Sequence, residues 1–245
     1  MCEACAVKSG GWRGWIELPE GDAGRPAGDW IDLSHPVSKR MPCASIFPVP
    51  SFRRLRSIPE HPFNVTEMRM VVHAGTHVDA PRHYYEDGPD AADIPLDRLR
   101  GPGVVWHVEK PLDGIIGVAD LERCRPLVRE GDIVALDTGW AARFGTPDYE
   151  RHPSLSPEAA EWLAARSIKM LACDFATPDL VYHLRQPGFD WPVHRTLLSR
   201  GILVCQHLTG HAGLAGQRAE FIFGALAITG SDGAPARVIA RRVEA

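Results

Sequence analysis

Four side chains of the types that bind metals lie within eleven residues of this chain. His73, His77, Asp79 and His83 form the pattern HxGTHxDxPxH. Neutral imidazole and carboxylate together suit a borderline divalent ion such as zinc or manganese. A lone histidine is usually an ordinary core or surface residue, but four metal-type ligands around glycine and proline predict a metal site.

The backbone between these residues favours a turn over a helix. Gly75 can adopt a positive φ, and Pro81 predicts an extended exit that leads to His83. A non-helical turn can therefore direct several side chains toward one point. Residues 65 to 72 have the alternating pattern of a strand, so the polar cluster falls where a strand ends.

Apolar runs and capping signals outline the rest of the fold. Ser156 followed by Pro157 predicts the start of a helix, and a long loop between Pro42 and Pro62 could cover a site. The interpretation is one α/β domain over residues 30–245, with a mixed sheet and few helices, after an N-terminal extension of residues 1–29. The predicted strands are GVVWHVE, DIVALDTGW, MLACDFA, ILVCQHL and two around the turn in FIFGALAITGSDGAPARVIARR; GVADLERCRPLV and VHRTLLSRG are predicted helices.

Composition narrows the class of partner. The 245 residues are 44% hydrophobic and 24% charged with a net charge of -4, which is typical of a globular domain and predicts no nucleic-acid partner and no membrane. The N-terminus lacks the apolar core of a signal peptide, so the expected compartment is the cytoplasm. Scattered cysteines predict reduced thiols, and the lone CxxC at Cys2 and Cys5 is a weak signal for a structural metal.

Several motifs in a fixed order resemble a known family. HAGTHVDAPRH, with LSHPVS before it and DTGW, CDFATPD, VHRTLLSRGILV and GSDGAPAR after it, is similar to the cyclase-like metal-dependent hydrolases. That family includes kynurenine formamidases and isatin hydrolases. The resemblance runs from about Asp32 to Arg237. It implies a swivelling β/β/α fold, a homodimer or higher homo-oligomer, and His73, His77 and Asp79 as metal ligands.

One departure from the formamidase pattern concerns Gln206, which stands where those relatives have a glutamate. A glutamate can bridge two cations, whereas a neutral glutamine offers one carbonyl oxygen. The resemblance then implies one ion per chain, held by His73, His77, Asp79 and the Gln206 amide oxygen, with manganese favoured and zinc possible. His194, which aligns with a ligand of the second ion, is left out of the set.

The resemblance also suggests roles for residues beside the ion. His83 is the first choice as general base, the alternative being a partner that only orients Asp79. His207 could bind the developing oxyanion or the substrate carbonyl, the alternative being an ordinary histidine at the end of a strand. Phe47, Phe63 and Tyr84 could line a flat pocket for a small aromatic cyclic amide, or could be plain packing.

The implied reaction is hydrolysis of the cyclic amide bond of isatin to isatinate by metal-activated water. Two alternatives stay open. One is kynurenine formamidase activity on N-formylkynurenine. The other is a non-catalytic metal-binding or small-molecule-binding protein.

Overall fold

The computed structural model describes residues 14, 16–17, 25–26, 28–39, 41–42 and 47–244. Cys2, Cys5, Cys43 and most of the predicted extension lie outside the described residues, so the boundary at residue 30 stays a prediction. The α-helices of the described residues are α1 (Val118–Arg123), α2 (Pro157–Ala164) and α3 (Pro192–Leu198). The strands of the same residues, β1 to β13 in chain order, are Arg25–Pro26, Ile31–Asp32, Ser51–Arg56, Val65–Arg69, His77–Asp79, Arg100–His107, Ile115–Ile116, Ile133–Asp137, Ser154–Leu155, Met170–Cys173, Leu203–Gln206, Gln217–Ala225 and Gly233–Glu244.

Seven of these strands close into a barrel-like mixed sheet. Parallel pairs join β6 to β8, β8 to β10 and β10 to β11. Antiparallel pairs join β11 to β5, β5 to β13, β13 to β12 and β12 back to β6. The predicted fold, an α/β domain with a mixed sheet and few helices, is confirmed.

The two faces of this sheet contribute to different apolar clusters. Strands β8, β10 and β11 are buried along their whole length, as expected for parallel strands covered on both sides. Leu136 packs with Leu163 and Leu197 from the helices, in one cluster. Met170 packs with Phe221 in the other cluster, on the opposite face. This double burial fixes the register of the strands that carry the site.

The predicted start of α2 is confirmed. The Ser156 hydroxyl accepts a hydrogen bond from the backbone N–H of Ala159 at 3.2 Å, and Pro157 occupies the first turn. Ala160, Leu163 and Ala164 form the buried stripe. This helix therefore follows from local sequence signals alone.

The loop predicted between Pro42 and Pro62 is wrong in part, because Ser51–Arg56 form β3. This strand pairs with β4 in a separate two-stranded ribbon. All residues of β4 are exposed, so its alternating pattern does not mark a face of the main core.

Among the described residues, no helix is both long and apolar enough to cross a membrane.

Candidate metal centre

Strand β5 positions the centre of the site. His77 and Asp79 are two residues apart in this strand, so their side chains project from the same face. Gln206 of β11 is the register partner of His77, and Gly233 of β13 is the partner of Asp79. Ligands from distant parts of the chain therefore meet where the sheet closes.

The predicted turn before β5 is confirmed at Gly75, whose φ is +67°. A Cβ at this position would meet only the flexible end of Met41, whose Cε would lie 2.4 Å away, so the positive φ is the stronger reason for glycine. The extended exit predicted at Pro81 is wrong. Pro81–His83 form a 3-10 turn, in which the His83 N–H donates to the Ala80 carbonyl at 2.9 Å. The turn brings the His83 ring within 4.0 Å of the His73 ring, measured between centroids.

The wholly buried Asp79 carboxylate lies at the middle of the cluster. Its Oδ1 is 2.8 Å from Nδ1 of His73 and 3.2 Å from Nε2 of His77. Its Oδ2 accepts a hydrogen bond from Nε2 of Gln206 at 3.0 Å and lies 3.3 Å from Nε2 of His194. One carboxylate thus gathers three imidazoles and one amide.

Each of the three imidazoles is anchored by its outer nitrogen to an oxygen acceptor. An outer nitrogen that faces an acceptor carries a proton, which leaves the inner nitrogen free to bind a cation. The outer bonds are His73 Nε2 to Asp232 Oδ2 at 2.7 Å, His77 Nδ1 to the Gly75 carbonyl at 2.6 Å and His194 Nδ1 to Asp179 Oδ2 at 2.5 Å.

One inner nitrogen is a specific reason to place a cation here. Nε2 of His77 is buried and has no hydrogen-bond partner, because its 3.2 Å approach to Asp79 lacks hydrogen-bond geometry. A buried polar atom without a partner is costly unless a ligand satisfies it. His73, His77 and Asp79, the set expected from sequence, form a candidate metal site whose donors suit zinc or manganese.

Gln206 and His194 complete the wall of the cluster. Gln206 donates from Nε2 to Asp79, and the same Nε2 lies 2.9 Å from Nε2 of His194. Ligation through the Gln206 oxygen, as expected from sequence, requires the amide to turn over about its last bond. His194, which the sequence analysis left out, is brought into direct contact with the cluster.

His83 and Asp232 form a second group beside the first. Nδ1 of His83 lies 3.2 Å from Oδ2 of Asp232, the same oxygen that holds His73. The sequence analysis missed Asp232 as a site residue and read it only as part of a turn. Its one signal was the SDG turn before the last strand, and nothing local to that turn indicates which histidines it meets.

His207 lies on the other side of β5 at the end of β11. It is buried and has a φ of +58°, which is unusual for a residue other than glycine. Its Nδ1 lies 2.7 Å from the hydroxyl of the buried Tyr149. The ring centroid is 5.7 Å from that of His77. Tyr149 is a second residue that the sequence analysis missed.

Burial and the carboxylates act in opposite directions on the histidines. Burial lowers the pKa of His73, but hydrogen bonds to Asp232 and Asp79 raise it to about 9. Burial likewise lowers the pKa of His194, but the carboxylates of Asp179 and Asp79 outweigh burial and raise this pKa to about 9. Burial also opposes ionisation of Asp79, yet these histidines hold its pKa well below the usual value. Asp79 is therefore a stable anion, paired with two protonated histidines that a bound metal ion could replace as its positive partner.

The two predicted catalytic histidines differ from the ligands. Burial lowers the pKa of His83, although the hydrogen bond to Asp232 opposes the shift. Burial and the neighbouring His77 hold the pKa of His207 well below its usual value. Both side chains are thus neutral near pH 7 and can each accept or donate one hydrogen bond.

Of the three predicted pocket residues, Tyr84 contacts the site. Its ring stacks on His194 at 5.0 Å between centroids and meets His83 edge-on at 4.7 Å. Phe47 is half-buried ahead of β3, and Phe63 is exposed in the connection between β3 and β4. Their place in a pocket stays a prediction.

Asp174, at the end of β10, caps a loop. Its carboxylate accepts hydrogen bonds from the Thr138 hydroxyl at 2.6 Å and from the Trp140 N–H at 2.8 Å. It thereby fixes the turn after β8. Trp140 is buried.

Comparison with known proteins supports a single family. The putative cyclase model matches residues 31–180. A kynurenine formamidase from Bordetella petrii is 30% identical over 220 residues, which cover 86% of this chain and 97% of that protein.

Solved structures show the same architecture. Isatin hydrolase A from Labrenzia aggregata, bound to benzyl benzoate, superposes with a TM-score of 0.80 at 23% identity and covers 88% of this chain and 94% of its own. A potential metal-dependent hydrolase with cyclase activity superposes with a TM-score of 0.71 at 27% identity, covering 89% and 99% of the two chains. The first similarity concerns the fold alone.

Proposed function

Because this chain belongs to the putative cyclase family, we propose that it is a metal-dependent hydrolase that opens the cyclic amide bond of isatin to give isatinate. One observation carries the proposal. The inner nitrogens of His73 and His77 converge on Asp79 beside a neutral Gln206, where a two-metal site would need another carboxylate. The donor set thus suits one divalent ion per chain, and its mixture of nitrogen and oxygen favours manganese, with zinc possible.

The second candidate is hydrolysis of N-formylkynurenine. It is supported by the 30% identity to a kynurenine formamidase over nearly the whole of that protein. It is weakened by Gln206, which cannot supply the bridging negative charge. The two reactions break the same kind of bond, because each hydrolyses the carbonyl C–N bond of an amide whose nitrogen is attached to an aromatic ring.

When bound, the ion supplies Lewis-acid chemistry that polarises the scissile carbonyl and makes water a stronger nucleophile at neutral pH. His83 is proposed to take the proton of the attacking water, because it is neutral near pH 7 and lies beside His73. It then passes that proton to the departing amide nitrogen. Water adds to the carbonyl carbon, the C–N bond breaks, and the product carries an aromatic amine and a carboxylic acid, which loses its proton to solvent to give the carboxylate.

His207 is proposed to donate a hydrogen bond to the substrate carbonyl oxygen. The Tyr149 hydroxyl has its pKa raised well above the usual value by burial, so it stays protonated. If it donates to Nδ1 of His207, the proton of the neutral imidazole is placed on Nε2. His207 is then a fixed donor, which separates its role from that of His83.

The substrate ring is proposed to lie against Tyr84, with Phe47 and Phe63 closing a flat pocket. Tyr84 is held over His194 by stacking and by Arg195, whose guanidinium carbon is 5.7 Å from the ring centroid. An aromatic face in this position orients a planar substrate toward the candidate metal site.

A homodimer or higher homo-oligomer is also proposed. The β3–β4 ribbon exposes Leu55, Phe63 and Met68, and an isolated two-stranded ribbon is marginally stable in water. A second copy of the chain would cover these side chains. Buried free thiols at Cys173 and Cys205 agree with the cytoplasm as the proposed compartment.

The decisive experiment combines elemental analysis of the purified protein with parallel assays on isatin and N-formylkynurenine. One manganese per chain and turnover of isatin support the proposal. Two zinc ions per chain with formamidase activity would replace it by the second candidate. A metal-loaded protein that turns over no cyclic imide, lactone or formyl anilide would indicate a non-catalytic binding protein.

A further inference from the structure

The carboxylate of Asp232 contacts both His73, a proposed metal ligand, and His83, the proposed general base. Its Oδ2 lies 2.7 Å from Nε2 of His73 and 3.2 Å from Nδ1 of His83. The two imidazole rings are tilted by 30° with centroids 4.0 Å apart. One oxygen atom is thus shared by two histidines with different tasks.

The backbone around Asp232 fixes this carboxylate although the side chain is 44% exposed. The Asp232 carbonyl accepts a hydrogen bond from the Ala80 N–H at 3.0 Å, directly after β5. The Gly230 N–H donates to the Asp90 carboxylate at 2.5 Å on the other side of the turn. Gly233 lies so close that a Cβ would be 2.8 Å from Cε1 of His73. The turn therefore packs directly on the ligand histidine.

A carboxylate accepts hydrogen bonds and donates none, so both nitrogens that face it must carry protons. Nε2 of His83 is then left as an acceptor, whereas Nδ1 of His73 faces the Asp79 carboxylate and can bind a cation only after it loses its own proton. We infer that Asp232 is a positioning residue that sets the tautomers of His73 and His83 together and couples ion binding to proton transfer. This inference rests on the proposed function, because it assigns His83 the task of accepting a proton.

The variant Asp232→Asn tests the inference with little change in shape. Its amide keeps one acceptor oxygen but carries no negative charge, so its hydrogen bonds to the two histidines are weaker. We expect manganese affinity to fall about 10- to 100-fold, measured by competition with a fluorescent chelator. At saturating manganese, kcat should fall by a similar factor while KM changes less than about threefold.

Ser231→Ala is the matched control for the turn. Its hydroxyl donates to the Gly233 carbonyl at 2.7 Å, within the same turn as Asp232. We expect manganese affinity and kcat of this variant to stay within about threefold of wild type. Losses in Ser231→Ala equal to those in Asp232→Asn would mean that the turn, and not the carboxylate, matters, and would overturn the inference.

A double-mutant cycle separates the effect of Asp232 on manganese binding through His73 from its effect on kcat through His83. In a His83→Gln background, Asp232→Asn should lower kcat no further and should still weaken manganese binding. An unchanged manganese affinity in Asp232→Asn, or an equal further loss of kcat in the His83→Gln background, overturns the coupling. If wild type hydrolyses neither substrate, the proposed function fails, whereas the manganese measurement still decides whether Asp232 positions His73.

Discussion

Metal binding at this site must displace a proton. His73 has a pKa raised to about 9 in the metal-free protein, so at pH 7.5 nearly every molecule carries the extra proton on this ring. A cation bound by the inner nitrogen cannot share that nitrogen with a proton. We therefore expect about one proton to be released for each ion bound at His73, His77 and Asp79 at pH 7.5.

The magnitude follows from the distance between pH and pKa. At pH 7.5 the pH lies about 1.5 units below the His73 pKa of about 9, so removing the proton from this ring costs about 2 kcal/mol. That cost falls as the pH rises, so manganese affinity should strengthen about tenfold between pH 7 and pH 8. Titration calorimetry in two buffers of different ionisation enthalpy measures the number of protons released.

His194 decides how many ligands the ion recruits. Its pKa is also raised to about 9, so an ion that bound it as well would release about two protons. The variant His194→Gln should release the same single proton as wild type if His194 stays outside the shell. Tight manganese binding with no proton release at pH 7.5 would refute the account in which the proton on His73 must leave before the ion binds.

Three further outcomes are expected. Gln206→Glu supplies a second carboxylate beside Asp79 and should raise the ion count per chain from about one to about two, measured by elemental analysis; an unchanged count would show that this charge does not set stoichiometry. Tyr149→Phe removes the hydroxyl 2.7 Å from His207 and should lower kcat about tenfold with little change in KM; equal turnover would remove Tyr149 from the mechanism. Burial lowers the pKa of His152 to about 4, so the unfolded state takes up its proton first as pH falls below about 6.5, and stability is lost over that window. Between pH 7.5 and 4.5 this lowers the free energy of unfolding by about 2.5 kcal/mol, a loss that urea titration should find absent in His152→Asn; an equal loss in that variant would contradict the assignment.

Local signals sufficed where residues close in sequence act together. Ser156 and Pro157 specified the start of α2, and the short HxGTHxDxPxH segment specified His73, His77 and Asp79 as one candidate site. Gly75 was predictable because glycine adopts a positive φ, such as the +67° found here, without steric cost. Each of these features depends on contacts that span a few residues.

Long-range pairing set the features that sequence could not give. Asp232 meets His73 only because β13 pairs with β5, and a turn 159 residues away carries no local sign of that partner. Pro81 illustrates a different failure. Its fixed φ is compatible with an extended exit or a 3-10 turn, and the hydrogen bond from His83 to the Ala80 carbonyl selects the turn.

The closure of the sheet and the construction of the site use the same short strand. β5 has three residues, two of them polar and buried, and it is held between β11 and β13. Without a cation, buried Asp79 depends on protons held by neighbouring histidines and on the amide of Gln206. A bound ion would take over that role and link β5 directly to Gln206 of β11. The strand that joins the two ends of the sheet is therefore also the element whose stability should depend most on metal.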